Sequence, residues 1–291
     1  MHQQRARVDP TLALCILPPK LSGGLKVYRM TILEIVSKLN EAAEQDPELA
    51  AFYGLHRELF ELQENARTGI AATLELADPA ALQARTRQGL PLLAFAQLPI
   101  KPQRFTKLAL AIAQALMSYY TDLAGQPLPS DAAEWVALAE RRFAQQPAQQ
   151  IALAEMSADQ ALKPYLAWAA EQILPHLDQG LWKRGNCPVC GGSPDLAFLE
   201  EETGTRRLVC SRCNSQWRYR RVGCPFCDSD DYSKIVYYPS EDKVYRLYVC
   251  NVCQRYLKTI DKRHTTRHIL PEVERVVTVD LDIAARQEGY R

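Results

Sequence analysis

Cys187-Pro-Val-Cys190, Cys210-Ser-Arg-Cys213, Cys224-Pro-Phe-Cys227 and Cys250-Asn-Val-Cys253 decide how this 291-residue chain is read. Eight of its nine cysteines fall in these four C-x-x-C pairs. Two residues between sulfurs let one tight turn offer both thiolates to one cation, and two such turns complete a tetrahedral four-sulfur site. Nineteen residues separate the first two pairs and twenty-two the last two. The first gap lies within, and the second just beyond, the window of about fifteen to twenty usual for a C-x2-C…C-x2-C metal site. Disulfides would need an oxidising compartment, and no convincing export signal is present. Redox-active C-x-x-C pairs start helices near a βαβ pattern. These pairs instead sit among short apolar runs and turn residues.

The chain is long enough for two or three domains. No run approaches the roughly eighteen apolar residues of a membrane span. The overall charge of +1 hides an asymmetry, with residues 31–180 at −7 and 183–223 at +4. Residues 1–30 read as a flexible basic segment. Arg5 and Arg7 before Thr11–Leu17 faintly resemble a signal peptide, but Pro18 and Pro19 end a short apolar core and no small-x-small site follows. Cys15 follows bulky Leu14, against a lipoprotein anchor. Met30, just before a helix start, is a candidate initiation site.

Residues 31–182 read as a helical domain. Thr31 with Glu34 forms a capping box ahead of Ile32, Ile35, Val36 and Leu39. Asp46-Pro47 and Asp78-Pro79 are helix starts, with Asp as cap and Pro in the first turn, and Gly89 is a stop. A buried helix, apolar almost all round, is expected over about 104–124. Ser130 is expected to cap the next helix. The last, near 158–179, should kink or break at Pro164 and Pro175. No catalytic constellation is visible in this half. His56 and His176 read as satisfied or surface histidines, and the acidic balance as a solvated face, with a partner surface as its functional alternative.

After residue 182 the period shortens to β runs at 195–199, 206–209, 216–222, 235–238 and 244–249, each beside a cysteine pair. Residues 187–223 and 224–260 therefore read as two imperfect copies of one knuckle–hairpin–knuckle unit, with 183–223 as the first metal unit and 224–291 as the second, which adds a C-terminal helix. Pro188 and Pro225 stiffen the knuckles. Gly191 can take the left-handed conformation that aims N–H groups at sulfur. The equivalent residues Asn214, Asp228 and Gln254 tolerate it progressively less well. The fold class is multidomain α+β, an N-terminal all-α domain followed by two zinc-ribbon-type metal-binding β units.

Cys187-Pro-Val-Cys-Gly-Gly-Ser-Pro194, Leu208-Val-Cys-Ser-Arg-Cys213 with Trp217, Arg221-Val-Gly-Cys224, Cys253-Gln-Arg-Tyr-Leu-Lys258, Leu281-Asp282 and Gly289-Tyr290 resemble the formate dehydrogenase accessory protein FdhE family. The resemblance implies a cytoplasmic, non-enzymatic assembly factor that binds the formate dehydrogenase catalytic subunit during maturation. It also implies two rubredoxin-like units. Cys187, Cys190, Cys210 and Cys213 would hold one ion, and Cys224, Cys227, Cys250 and Cys253 the other, with iron favoured. Four sulfurs suit zinc equally. His264 and His268 are surplus to two complete quartets and read as surface residues. Two other classes stay open. Lys183, Arg184, Arg206, Arg207, Arg212, Arg218, Arg220 and Arg221 with Trp217 and Tyr219 form a basic aromatic stripe compatible with a nucleic-acid-binding zinc ribbon. Iron in the knuckles would suit a rubredoxin-like electron-transfer protein.

Overall fold

The computed structural model describes residues 32–145 and 152–291. The basic N-terminal segment, Cys15, Met30 and the Thr31 cap lie outside them. Helix α1 spans Ile32–Gln45 and α2 Ala50–Thr68, after a 3-10 turn at Pro47–Leu49 that Asp46 caps by accepting from Leu49 N. Helix α3, Pro79–Gln88, starts at the Asp78 cap, whose carboxylate accepts from Ala80 N and Ala81 N, and ends at left-handed Gly89. Helix α4, Pro102–Tyr119, is shorter than expected, and a 3-10 turn at Thr121–Leu123 replaces its last turn. It is not apolar-buried all round, because Leu110 is exposed. Helix α5, Ala132–Phe143, is capped by Asp131, which accepts from Glu134 N, and not by Ser130. Ser130 instead donates N–H and Oγ–H to the Glu134 carboxylate.

Helix α6, Leu153–Ile173, runs through Pro164 without breaking. Proline removes the N–H that would reach the carbonyl four residues earlier. That carbonyl, on Gln160, accepts from the Gln63 side chain of α2 at 3.1 Å. A neighbouring helix thus supplies the missing donor, and burial of Leu162, Leu166 and Ala169 holds the helix in place. The expected break falls instead at Pro175, where a 3-10 turn, Leu174–His176, ends the helix.

The second half is one continuous sheet. Strands β1 (Pro194–Leu199), β2 (Arg206–Cys210), β3 (Gln216–Arg218), β4 (Ile235–Pro239), β5 (Tyr245–Cys250) and β6 (Arg255–Asp261) lie in the order β3-β2-β1-β6-β5-β4. Each cysteine unit forms an antiparallel meander, and the parallel β1–β6 pair joins them, with Leu196 opposite Lys258 and Leu199 opposite Asp261. Strand β6 is absent from the sequence-based expectation. Lys258, Thr259 and Asp261 make it look polar, yet all three are buried. Strand β3 is shorter than the expected 216–222, since Tyr219 N already bonds Arg206 O and the chain then turns through Gly223. Two short helices close the chain, α7 at Pro271–Val277 and α8 at Val279–Gln287.

The main core does not stop near residue 182. It runs from Leu55 and Phe105 through Trp135 and Leu166 to Cys187, Cys213 and Leu257. A second cluster packs α1 on α7 through Ile35, Leu39, Val273 and Val276. The segment between the halves is stapled by indole N–H groups, Trp182 to Asn186 O at 2.9 Å and Trp217 to Arg184 O at 3.1 Å. Gly185 passes against the Pro225 backbone so closely that a Cβ would overlap its carbonyl. We expect Gly185→Ala to destabilise by about 1–3 kcal/mol, the usual range for overpacking. A urea midpoint equal to the parent's would contradict that.

Candidate metal centres

Each C-x-x-C pair sits in the same backbone turn. The N–H four residues after the first cysteine bonds that cysteine's carbonyl: Gly191 to Cys187 at 3.0 Å, Asn214 to Cys210 at 3.3 Å, Asp228 to Cys224 at 3.0 Å and Gln254 to Cys250 at 2.9 Å. All four donors have positive φ, 74° for Gly191, 59° for Asn214, 60° for Asp228 and 55° for Gln254. The turn is imposed even on Gln254, a residue type that seldom adopts it. Its return is that N–H groups point at sulfur. Val189 N and Arg212 N each lie 3.4 Å from the sulfur two residues earlier. Phe226 and Val252 donate in the same way to Cys224 and Cys250.

The sheet brings these turns together in pairs. Cys187, Cys190, Cys210 and Cys213 form one group and Cys224, Cys227, Cys250 and Cys253 the other, with the sulfurs in each within 4.8 Å of one another. In the first, Cys187–Cys213, Cys190–Cys210 and Cys190–Cys213 are 3.5 Å apart. In the second, Cys224–Cys253 is 3.6 Å and Cys227–Cys250 3.8 Å. A tetrahedron with metal–sulfur bonds near 2.3 Å has edges of about 3.8 Å. The donor set therefore fits a tetrahedral thiophilic ion, and the separations are too long for disulfides. Burial pushes the Cys187 thiol well up, and the adjoining sulfurs add to it. Four buried thiolates at such distances need a cation to offset their charge.

The groups differ in setting. Cys187, Cys190, Cys210 and Cys213 are all buried, whereas Cys227 is exposed and Cys253 half-buried. The first is sealed by the helical half. Leu92 N and Leu93 N bond Pro188 O and Val189 O at 2.9 and 3.0 Å. Gln145 donates to Gly191 O at 2.9 Å, and Arg212 donates to Phe143 O at 3.1 Å. Arg275 of α7 donates to Cys210 O at 2.7 Å while paired with Asp195 at 2.6 Å.

His264 and His268 join neither group. His264 lies 3.7 Å from Asp261, and His268 is 2.9 Å from Glu34, linking the loop after β6 to α1. His176 is exposed. His56 is packed edge-on against Phe52 at 4.5 Å, on the wall of a cleft of about 560 Å³ between α2, α6, α7 and the second knuckle. Burial, with Lys163 and Lys258 nearby, lowers its pKa from 6.5 to about 4. The folded state thus prefers neutral His56. Its contribution is complete above about pH 6.5 and is lost as pH falls toward about 4. We expect stability to drop by at most about 3 kcal/mol over that window. His56→Gln should flatten the drop in pH-dependent urea melts, and an unchanged profile would refute the assignment.

The basic aromatic stripe is partly spent inside the protein. Trp217, Tyr219 and Arg206 are buried, and Arg206 donates to Gly223 O at 3.0 Å. Arg207 pairs with Glu200, and Arg220 with Asp228. Lys183, Arg184, Arg218 and Arg221 remain exposed, but the stripe's own aromatic residues, Trp217 and Tyr219, are buried where bases cannot stack on them.

Missed by sequence reasoning is the cluster behind β6. Lys258 Nζ lies 2.7 Å from Asp282 and donates to Arg275 O at 3.1 Å, and Tyr256 OH donates to Asp282 at 2.8 Å. Tyr290 OH donates to Asn251 at 2.7 Å, beside the fourth knuckle. The signal was a set of separated short motifs whose residues prove to be partners.

A helical domain joined to a single sheet that carries two four-cysteine knuckle clusters is the class these features define. Residues 186–221 match the family model of the FdhE central domain. A protein FdhE homolog of Pseudomonas aeruginosa is 33% identical over 193 residues, 58% of this chain and 61% of that protein. One from Aquifex aeolicus is 31% identical over 133 residues, 44% of this chain and 46% of its own length. The alignments thus span about half the length of the curated relatives. The crystal structure of the FdhE protein from Pseudomonas aeruginosa superposes with a TM-score of 0.61 at 24% identity, covering 89% of this chain and 92% of that one. The chain resembles the FdhE family in sequence over residues 186–221 and in the longer alignments with these two relatives, and in fold along most of its length. No described helix is long and apolar enough to cross a membrane.

Proposed function

We propose that this chain is a cytoplasmic assembly factor for formate dehydrogenase, acting by docking on the catalytic subunit rather than by catalysis. The observation that carries this reading is the FdhE central-domain match over the first knuckle pair, within a sheet that keeps both cysteine quartets intact. Cys187, Cys190, Cys210 and Cys213 hold one ion, and Cys224, Cys227, Cys250 and Cys253 the second. Bound there, the ions cross-link the knuckles, and iron would add one-electron chemistry. The acidic helical half and the basic first unit offer faces of opposite sign to a partner, which favours oriented encounter.

The test is affinity capture of the formate dehydrogenase catalytic subunit by the tagged chain, with recovery of dehydrogenase activity in cells lacking their own factor. Failure of both would overturn the proposal. Metal analysis with a visible spectrum belongs beside it. Two irons with thiolate charge-transfer bands would support the rubredoxin-like assignment, and two colourless zincs would confine the ions to structure.

A further inference from the structure

We propose that the second cysteine cluster is an open ligand-exchange site, at which a thiolate from outside can take the place of Cys227 or Cys253, while the first cluster is closed. This rests on the reading that both quartets hold ions. Three independent features carry it.

The first is access. Cys227 is exposed and Cys253 half-buried, whereas all four sulfurs of the first group are buried. Val252, between Cys250 and Cys253 in the same turn, is exposed, an apolar contact for an incoming chain. Arg255 lies with its guanidinium 3.9 Å from the Phe226 ring centroid, a cation beside the open face that attracts a thiolate.

The second is support. The first group is tied by hydrogen bonds to the α3–α4 connector, to Phe143 at the end of α5 and Gln145 just after it, and to α7. The second group's turns are braced from the sheet half instead, with Arg220 donating to Asp228 O and pairing with its carboxylate, Tyr219 OH donating to Cys224 O, Tyr290 OH to Asn251 and Arg291 N to Gln254 O. The third is backbone strain. The first group places Gly191 and Asn214, both suited to the left-handed region, after its knuckles, whereas the second places Asp228, which also visits it, and Gln254, which seldom does. The second group's turns therefore open more readily.

The exchange balances without redox change. The incoming thiol gives up its proton as its sulfur binds, and the departing Cys227 sulfur takes a proton. The thiol comes either from a small molecule or from a cysteine on a partner chain.

The test uses the full metal-loaded chain with a chromophoric chelator and N-ethylmaleimide, followed by peptide mass mapping. We expect one of the two ions to leave at least tenfold faster than the other, with Cys227 and Cys253 alkylated first and Cys187 to Cys213 protected. Fluorescence of the buried Trp182 and Trp217 should stay constant during that first phase, which separates local opening from unfolding. Gln254→Gly should slow the fast phase by relieving the turn. Glutathione and a cysteine-containing peptide, added separately, distinguish the two thiol sources by which one accelerates release. Equal release rates, or earlier alkylation of the first group, would overturn the inference and leave the metal reading standing. A purified chain with no bound ion would overturn both.

Discussion

Replacing Cys187 and Cys190 together by serine is expected to unfold the sheet and loosen the helical domain with it. Structural zinc sites contribute on the order of 10 kcal/mol or more of folding free energy, as much as the whole stability of a typical domain, about 5–15 kcal/mol. The position makes the loss global. Cys187, Cys190, Cys210 and Cys213 belong to the same buried cluster as Phe105, Trp135 and Leu166 of the helices. The serines would leave short polar groups in that cluster with no ion to bind. The matching change at Cys224 and Cys227 should be milder, since Cys227 reaches solvent and this turn precedes the edge strand β4. Thermal melts followed by circular dichroism, with limited proteolysis, compare the two. A first-site variant melting within a few degrees of the parent would show that packing, not metal, holds this region.

Lys258→Met is expected to cost about 3–5 kcal/mol, the usual penalty for stripping one partner from a buried ion pair. Lys258 is 4% exposed and has three acceptors. They are the Asp282 carboxylate at 2.7 Å and the carbonyls of Arg275 and Thr278 at the end of α7, at 3.1 and 3.5 Å. A cation at a helix C-terminus also complements its dipole. Methionine fills the space but leaves Asp282 facing Tyr256 OH alone and takes the ammonium donor from both carbonyls, of which Thr278 O keeps the Leu281 N–H at 3.1 Å. Adding Asp282→Leu removes the stranded charge, so the double variant should recover part of the loss in urea titrations. If the single variant costs under about 1 kcal/mol, water must reach the site and the pair is a surface one.

Much of the site was legible because cysteine spacing is a local property. A C-x-x-C turn carries its geometry within a few residues, and all eight cysteines fall where that reading puts them, in two groups of four. The helix starts at Asp46-Pro47 and Asp78-Pro79 were legible for the same reason, the cap and its N–H groups being sequence neighbours. Where the reading failed, the deciding partner was distant. Pro164 should break a helix by local rules, but Gln63, 97 residues earlier, supplies the donor to Gln160 O. Strand β6 looks too polar to be central, but Asp261 is paired with Arg246 and Arg263, and Lys258 with Asp282. Polarity argues against burial only when partners are absent.

The sequence alone determined the four knuckles, their pairing by spacing, the helical character of the first half and the likeness to FdhE, because each depends on residues close together in the chain. Only the tertiary structure decided that the two cysteine units share one sheet through the parallel β1–β6 pair, that the first cluster lies in the common core, and that the second opens to solvent. Burial is set by which surfaces meet, and contacts between residues far apart in sequence leave no periodic trace in either segment.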